Sequence, residues 1–322
     1  MPKSVPSGTF FILKNRKWGI KLSWRTVLVE DGESLRLKLD SIVIEKKGNL
    51  FTIPLSDIGI IIVDGQGATI STRLLSSLGK YNIALINCDE THHPSGIFTS
   101  FNGHSRASKM IQKQIKLDEA TKGEIWRKLI AYKIENQYKV LKYFKKSEQS
   151  LEKLNQYYEQ LENYDRTNRE GHAAKVYFNE LFGKDFSRSS EEHIVNTSLN
   201  YGYSIVRAYL ARCVVAYGLS PMLGIFLCSE YNQFNLVDDL IEPFRPFVDC
   251  FVYQNLKEER YFKAEHRREL IMLMNKRCRY KEGQYTLQMI LEKFVIDFIK
   301  VIETGEFEKI VNPSIETFEA LV

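Results

Sequence analysis

The sequence predicts an α+β protein in which an N-terminal β-rich domain is followed by a larger all-α domain. Three observations carry this prediction. The chain has 322 residues, a usual length for two domains. Its first third consists of short segments rich in β-branched and aromatic residues, separated by turn signals. From about Ser108 onward, apolar residues recur with the period of a helix. We place the domains at residues 1–105 and 106–322, and the role of an extension at residues 1–22 is left open.

The N-terminal domain is predicted to contain six main strands and one helix. Ile58–Val63 is continuously apolar, as expected for a strand covered on both faces. One helix is expected over Ala68–Asn82, and a second buried strand follows it. The other strands are expected at Trp24–Glu30, Leu35–Leu39, Ser41–Glu45, Leu50–Pro54 and Ile83–Cys88.

Three long stretches of the second domain have the pattern of amphipathic helices. Lys109–Asn155 is charged and contains few helix breakers, and Gln284–Glu303 is strongly amphipathic. Between them, apolar residues spaced by four and three form one stripe from Leu199 to Tyr217. Gly218 and Pro221 then supply stop signals.

Composition excludes several classes of protein. No apolar run approaches the roughly 18 residues of a membrane-spanning helix. The N-terminus lacks the apolar core and cleavage site of a secretory signal. The five cysteines are scattered and show no CxxC spacing, so we interpret them as buried thiols of a cytoplasmic protein rather than disulfides or zinc ligands.

Basic residues are concentrated in one window of the chain. Leu256–Lys281 contains nine Lys or Arg and four acidic residues, an excess equal to the net charge of +5 of the whole chain. Such a concentration suits a DNA backbone, although a solvated helical face explains the charge equally well. The residues that we assign to DNA binding here are Arg267, Arg268, Lys276 and Arg277.

Two acidic segments are candidates for chemistry. Glu170, Ala174 and Tyr177 share one face of a predicted helix, although an acid in a first turn is also common because it complements the helix dipole. In the segment 232–249, Asn235 is expected to cap a helix.

The second segment then crowds acidic residues beside two prolines. Asp238 and Glu242 are expected to point the same way, with Asp239 close by. Carboxylates crowded in this way favour Mg²⁺ or Mn²⁺, and Arg245 between the prolines suits a phosphate.

Taken in order, several segments resemble the Cas1 family of CRISPR spacer-acquisition integrases, in the form found in type II systems. The resemblance covers nearly the whole chain after about residue 22. It rests on the segments SWRTVLV (23–29), ISTRLLSSLGKYNIALINCDE (70–90), REGHAAKVYF (169–178), LNYGYSIVR (199–207), GLSPMLGI (218–225) and FNLVDDLIEPFRP (234–246).

The resemblance implies a catalytic helical domain and a metal-dependent DNA endonuclease and integrase. Such an enzyme inserts short foreign DNA into a CRISPR array by 3′-OH transesterification, using Mg²⁺ or Mn²⁺. It implies Glu170 and Glu242 as metal ligands, and Glu170, Glu242 and Tyr177 as catalytic residues. It also implies Asn200 and Arg245 as DNA-binding residues that line the site. Implied partners are double-stranded DNA (the prespacer and the CRISPR repeat), the Cas2 protein, a second copy of the chain and other type II CRISPR proteins; no membrane is implied.

One position departs from the family pattern. Type II members usually carry a metal-binding His fifteen residues before the second acid, and that position is Leu227 here. A leucine cannot bind a metal, and Cys228 and Glu230 are poor substitutes. The alternative to an active integrase is therefore a catalytically impaired DNA-binding and scaffolding subunit of the adaptation complex. An unrelated helical nucleic-acid-binding protein fits the ordered motifs less well.

Overall fold

A computed structural model of the chain describes residues 25–30, 32–46, 48–100, 104–189 and 194–320. The extension at residues 1–22, for which the sequence left the role open, lies outside the described residues. The chain divides into two compact units, Met1–Phe101 and Asn102–Val322. A β-rich first unit and a helix-rich second unit confirm the predicted α+β fold class.

The first unit contains eight described strands and one helix in two four-stranded sheets. One sheet has the order β1-β5-β7-β8, with β1, β5 and β7 parallel and β8 antiparallel to β7. The other has the order β4-β3-β2-β6, with antiparallel pairs except for the parallel pair of β2 and β6. The elements are β1 (Arg25–Val29), β2 (Ser34–Lys38), β3 (Ser41–Lys46), β4 (Asn49–Pro54), β5 (Ile58–Val63), β6 (Thr69–Ile70), α1 (Thr72–Lys80), β7 (Ala84–Cys88) and β8 (Pro94–Phe98).

Burial in this unit follows the sequence pattern. All six residues of β5 are buried, as its continuous apolar run predicts. One apolar cluster takes side chains from both sheets and from α1, including Leu35, Ile61 and Leu74. The helix begins later than predicted, because Ser71 caps it by accepting a hydrogen bond from the Leu74 backbone N–H and the residues before it pair as β6.

The second unit is built mainly of helices, arranged so that α3 contacts most of the elements that form the site. The described elements are α2 (Ala107–Ile115), α3 (Glu119–Tyr143), α4 (Glu148–Glu159), α5 (Arg169–Phe182), α6 (Ile194–Ala216), α7 (Asn235–Leu240), α8 (Arg245–Asn255), α9 (Ala264–Met272), β9 (Arg277–Tyr280), β10 (Gly283–Thr286) and α10 (Leu287–Thr304). No described helix has the length and apolarity needed to cross a membrane.

Two features of this unit differ from the prediction. The stretch expected as one long helix is broken into α2, α3 and α4, because Asp118 and Ser147 each cap a new helix with a side-chain hydrogen bond. The basic window ends with β9, which forms an antiparallel hairpin with β10 just beyond the window. Its alternation of exposed Arg277 and Arg279 with buried Cys278 and Tyr280 has the period of a strand, which the helical interpretation missed.

Candidate active site

The first carboxylate of the site is positioned by the start of α5. The Asp165 side chain accepts hydrogen bonds from the backbone N–H groups of Arg169 (2.7 Å) and Glu170 (2.9 Å), so it supplies the acceptor that a helix N-terminus needs. Glu170 lies in the first turn, as predicted, and its side chain is 33% exposed. The local sequence therefore presents an accessible carboxylate on a fixed helix end.

The second carboxylate, Glu242, begins a short 3₁₀ turn, Glu242–Phe244, between α7 and α8. Pro243 lacks a backbone N–H, which favours the end of α7 at this place. The turn is tied to α3 because the buried Asn136 side chain donates a hydrogen bond to the Pro243 carbonyl oxygen (3.0 Å). Glu242 is thus held against the middle of α3, and its side chain is 10% exposed.

A lysine lies between the two carboxylates. The Lys133 Nζ atom is 2.5 Å from Glu170 Oε1 and 2.5 Å from Glu242 Oε2. The Arg245 Nε atom donates to the other Glu242 oxygen at 2.7 Å. Burial opposes ionisation of Glu242, but the charges of Arg245 and Lys133 outweigh it and hold the pKa of this carboxyl below its usual value. Burial would lower the pKa of Lys133, but Glu242 and Glu170 raise it above its usual value.

These groups line a pocket of about 220 Å³. It brings together two of the three residues predicted to share the face of α5, Glu170 and Ala174. The full lining is Lys133, Gln137, Glu170, Ala174, Phe178, Arg188, Tyr203, Glu242, Arg245 and Asp249.

Two arginines, Arg188 and Arg245, line this pocket. Arg188 is held by the side-chain oxygens of Asn196 (2.6 Å) and Asn200 (2.7 Å). The guanidinium of Arg245 lies over the Tyr203 ring, 4.7 Å from its centroid. Both cations can face a phosphate in the pocket.

A third carboxylate, Asp249, also lines the pocket and accepts a hydrogen bond from the Tyr203 hydroxyl. Burial raises the pKa of Asp249 to about 6, against the effect of the Tyr203 hydrogen bond and the nearby arginines. The Asp249 carboxyl therefore takes up a proton more readily than a carboxyl in water.

Several residues predicted from the sequence are placed differently from the expectation. Tyr177 is fully buried and is not part of the pocket lining. Burial, together with the charge of Asp249, raises its pKa well above the usual value, so it is a neutral core residue. Asn200 reaches the pocket only through Arg188.

The acids of α7 do not point together as predicted. Asp238 pairs with Arg207 at 2.6 Å, whereas Asp239 turns inward and only Glu242 reaches the pocket. Asn235 does not cap α7, because the N-cap position is Phe234 and the Asn235 side chain instead donates to the backbone oxygens of two residues in the preceding loop.

Leu227, at the position of the expected His, lies in a segment organised by Asp239. The Asp239 carboxylate accepts hydrogen bonds from the backbone N–H groups of Ile225 (2.6 Å), Phe226 (3.0 Å) and Leu227 (3.1 Å). Leu227 does not line the pocket. Cys228, which we interpreted as a buried thiol, is exposed, whereas the other four cysteines are buried.

The arrangement does not fit a divalent metal ion as it stands. The Lys133 ammonium occupies the space between the Glu170 and Glu242 carboxylates. The position at which a third ligand, a His, was expected is Leu227. Within the described ranges, no group of three or more His, Cys, Asp or Glu side chains is placed to hold a metal. The Mg²⁺ or Mn²⁺ implied by the family resemblance therefore stays a prediction.

The predicted DNA-binding residues of the basic window separate into two kinds. Arg268, Lys276 and Arg277 are exposed, so they can meet a phosphate backbone. Arg267 is 8% exposed. Its burial removes it from the surface on which we expected it.

Three charged residues of the pocket, Lys133, Arg188 and Asp249, were not predicted from the sequence. Lys133 had a detectable signal, because it and Gln137 fall on the stripe that Trp126, Ile130 and Val140 define along α3, and the apolar members of that stripe are buried. A lysine on a buried helix face requires an acidic partner. Arg188 had no comparable signal, since it lies in a polar connection between helices.

Comparison with known proteins agrees with this architecture. The chain is 33% identical over 281 residues to a CRISPR-associated endonuclease Cas1 of Neisseria meningitidis, covering 86% of this chain and 91% of the relative. It is 27% identical to a Cas1 endonuclease of Francisella tularensis subsp. novicida, covering 72% and 79% of the two chains.

Solved structures share the fold at lower sequence identity. A casposase bound to integration product has a TM-score of 0.71 at 19% identity and covers 88% of this chain and 92% of its own. A Cas1 protein from Thermotoga maritima has a TM-score of 0.68 at 17% identity and covers 87% and 97%.

The family described as CRISPR associated protein Cas1 matches residues 26–281. This range runs from the second residue of β1 to just after β9, and it includes the three pocket carboxylates. The match confirms the family resemblance inferred from the ordered motifs. With one relative at 33% identity along most of both chains, the chain belongs to the Cas1 family.

Proposed function

We propose that this chain is the DNA-joining subunit of a CRISPR spacer-acquisition complex, an endonuclease and integrase that inserts short foreign DNA into a CRISPR array. One observation carries the proposal. Glu170 and Glu242, 72 positions apart in the sequence, reach the same point of a pocket that also presents Arg188 and Arg245. Carboxylates beside arginines are suited to a phosphodiester reaction, in which a hydroxyl must lose a proton while negative charge develops on phosphate.

In the proposed reaction, the 3′-hydroxyl of a prespacer attacks a phosphorus atom in the repeat. A new 3′-oxygen–phosphorus bond forms as the original phosphorus–oxygen bond of the repeat strand breaks, so no net energy source is required. Glu170, whose side chain is a third exposed, is the group that can take the proton of the attacking hydroxyl. Arg245 and Arg188 face the phosphate oxygens, and the released 3′-oxygen takes a proton from water.

The proposed partners are double-stranded DNA, the Cas2 protein and a second copy of this chain. Support comes from relatives named CRISPR-associated endonuclease Cas1 and from similar structures described as a Cas6-RT-Cas1–Cas2 complex and a casposase bound to integration product. Arg268, Lys276 and Arg277 supply exposed positive charge for the DNA backbone. Other type II CRISPR proteins stay a prediction of the resemblance.

The second candidate function is a DNA-binding and scaffolding subunit with impaired chemistry. Two observations favour it. Leu227 stands at the position of the expected metal ligand, and the Lys133 ammonium lies where a bridging ion would bind. A protein that keeps the family architecture and the basic surface can assemble with DNA even when its own pocket reacts slowly.

A strand-transfer assay separates the two candidates. The protein is incubated with its cognate Cas2 protein, a short duplex with free 3′-OH ends and a plasmid that carries the repeat, in Mn²⁺ and separately in EDTA. The integrase proposal predicts a joined product that is lost in Glu170→Gln and kept in Glu162→Gln, a matched control at an exposed acid outside the pocket. The EDTA arm tests the predicted metal requirement.

The scaffolding candidate predicts a different pattern. The wild-type protein would give no product in either solution, while it binds DNA with an affinity that falls steeply with salt. Product that appears only in Leu227→His would identify a disabled integrase. A product that Glu170→Gln leaves unchanged would contradict our assignment of the pocket.

A further inference from the structure

The Lys133 ammonium has the position that a bridging metal ion would require. Its Nζ atom is 2.5 Å from one oxygen of Glu170 and 2.5 Å from one oxygen of Glu242. Carboxylates bind Mg²⁺ at about 2.0–2.1 Å, so an ion shared by these two oxygens would overlap the ammonium group. The ammonium and a metal ion therefore cannot occupy this point together.

Charge balance leads to the same result. The two carboxylates, Glu170 and Glu242, are matched by two cations, Lys133 and Arg245, so this set of four groups is already neutral. A divalent ion added to it would leave two positive charges uncompensated in a largely buried place, which is unfavourable. A metal could enter only if Lys133 withdrew its ammonium group.

Withdrawal of Lys133 is hindered by its surroundings. The lysine side chain is 8% exposed and lies on the buried face of α3 beside Ile130 and Ile134, which are fully buried. One turn along the helix, Asn136 donates to the carbonyl oxygens of Pro243 and Pro313. These bonds hold α3 against the turn that carries Glu242.

The other described residues near Glu170 and Glu242 do not provide a further metal ligand. Leu227 offers no metal ligand, and Asp249 accepts the hydrogen bond of the buried Tyr203 hydroxyl. Two monodentate carboxylates alone are a weak site for Mg²⁺, which otherwise depends on water and phosphate oxygens.

We propose that Lys133 is the resident cation of this pocket, and that it excludes Mg²⁺ and Mn²⁺ from the Glu170–Glu242 pair. The inference rests on the proposed function, because it takes this pocket to be the place where DNA reacts. Lys133, Arg245 and Arg188 are then the cations that line the pocket. DNA joining by this chain would accordingly persist in EDTA.

Mn²⁺ binding, measured by electron paramagnetic resonance on the full chain without DNA, tests the inference apart from activity. Wild type is expected to leave the spectrum of free Mn²⁺ unchanged. Lys133→Met removes the ammonium group from between the two carboxylates and is expected to bind one Mn²⁺ at least tenfold more tightly than wild type. Lys139→Met on the same helix is the matched control, because Lys139 pairs with Glu135 at 2.6 Å outside the pocket, and it should behave as wild type.

Wild type that binds Mn²⁺ as tightly as Lys133→Met would overturn the inference. Should Lys133→Met fail to fold, a comparison of wild type with Glu170→Gln decides the question. If wild type binds Mn²⁺ and Glu170→Gln does not, the carboxylates accept the metal beside Lys133 and the inference is overturned. If neither protein binds Mn²⁺, the inference is supported. Failure of the proposed function would appear in the separate DNA-binding and strand-transfer assays, in which the protein would neither bind nor join DNA.

Discussion

Replacement of Glu242 by Gln tests how the buried charges hold the site together. Glu242 accepts from Lys133 at 2.5 Å and from Arg245 at 2.7 Å while its side chain is 10% exposed. Removing one partner from a buried ion pair leaves uncompensated charge and costs about 3–5 kcal/mol. We expect Glu242→Gln to lower the free energy of unfolding of the helical unit by about that amount at pH 7.

The matched control is Glu303→Gln. Glu303 pairs with Lys113 at 2.6 Å, nearly the same distance, but its side chain is 41% exposed. Exposed pairs contribute about 0–1 kcal/mol, so the control should be close to wild type. Urea unfolding followed by circular dichroism measures both variants.

The effect of Glu242→Gln should also depend on pH. Lys133 and Arg245 hold the pKa of Glu242 below its usual value of 4.5, against the effect of burial. The stabilisation is therefore fully present above pH 4.5, where the unfolded carboxyl is ionised, and is lost as pH falls through the lower folded pKa. Equal losses in Glu242→Gln and Glu303→Gln, or a Glu242→Gln effect that does not diminish in acid, would refute the ion-pair account.

Three further predictions concern neighbouring residues. Burial raises the pKa of Asp239 to about 7. The free energy of unfolding of wild type, relative to that of Asp239→Asn, should therefore decrease as the pH rises from about 4 to about 7, as measured by urea unfolding. Arg245→Lys keeps the positive charge but lacks the planar guanidinium, so we expect it to bind DNA about tenfold more weakly in a filter assay. The control Lys263→Arg, at an exposed residue of the basic window, should bind DNA with wild-type affinity. Tyr177→Phe should keep wild-type strand transfer, because this buried residue does not line the pocket; a loss would restore the catalytic role first predicted for it.

The sequence predicted the fold class and the family, because strand and helix periodicities and ordered motifs are local signals. It also predicted the convergence of Glu170 and Glu242, which followed from the resemblance rather than from spacing. Lys133 was missed because its role depends on packing of α3 against two distant segments. The hairpin at Arg277–Thr286 was missed because charge hid its alternation.

The acidic cluster of α7 shows the limit of helix geometry as a guide. Asp238, Asp239 and Glu242 are close in sequence, but each has a different partner: Arg207, the backbone of residues 225–227, and Lys133 with Arg245. The change from α7 to a 3₁₀ turn at Glu242 alters the direction of the last side chain. Asp238 and Glu242 are thus matched by cationic side chains of the protein, whereas Asp239 accepts backbone hydrogen bonds.

The most direct test of the central claim is whether a DNA 3′ end enters this pocket. Ala174, which lines the pocket beside Glu170, is replaced by Cys in a protein whose exposed Cys228 has been changed to Ser. A duplex with a thiol tethered to its 3′-terminal base should form a disulfide with Ala174→Cys and not with Lys153→Cys, a control on the exposed face of α4. Equal crosslinking at the two positions, or none at Ala174→Cys while the duplex is bound, would contradict the account.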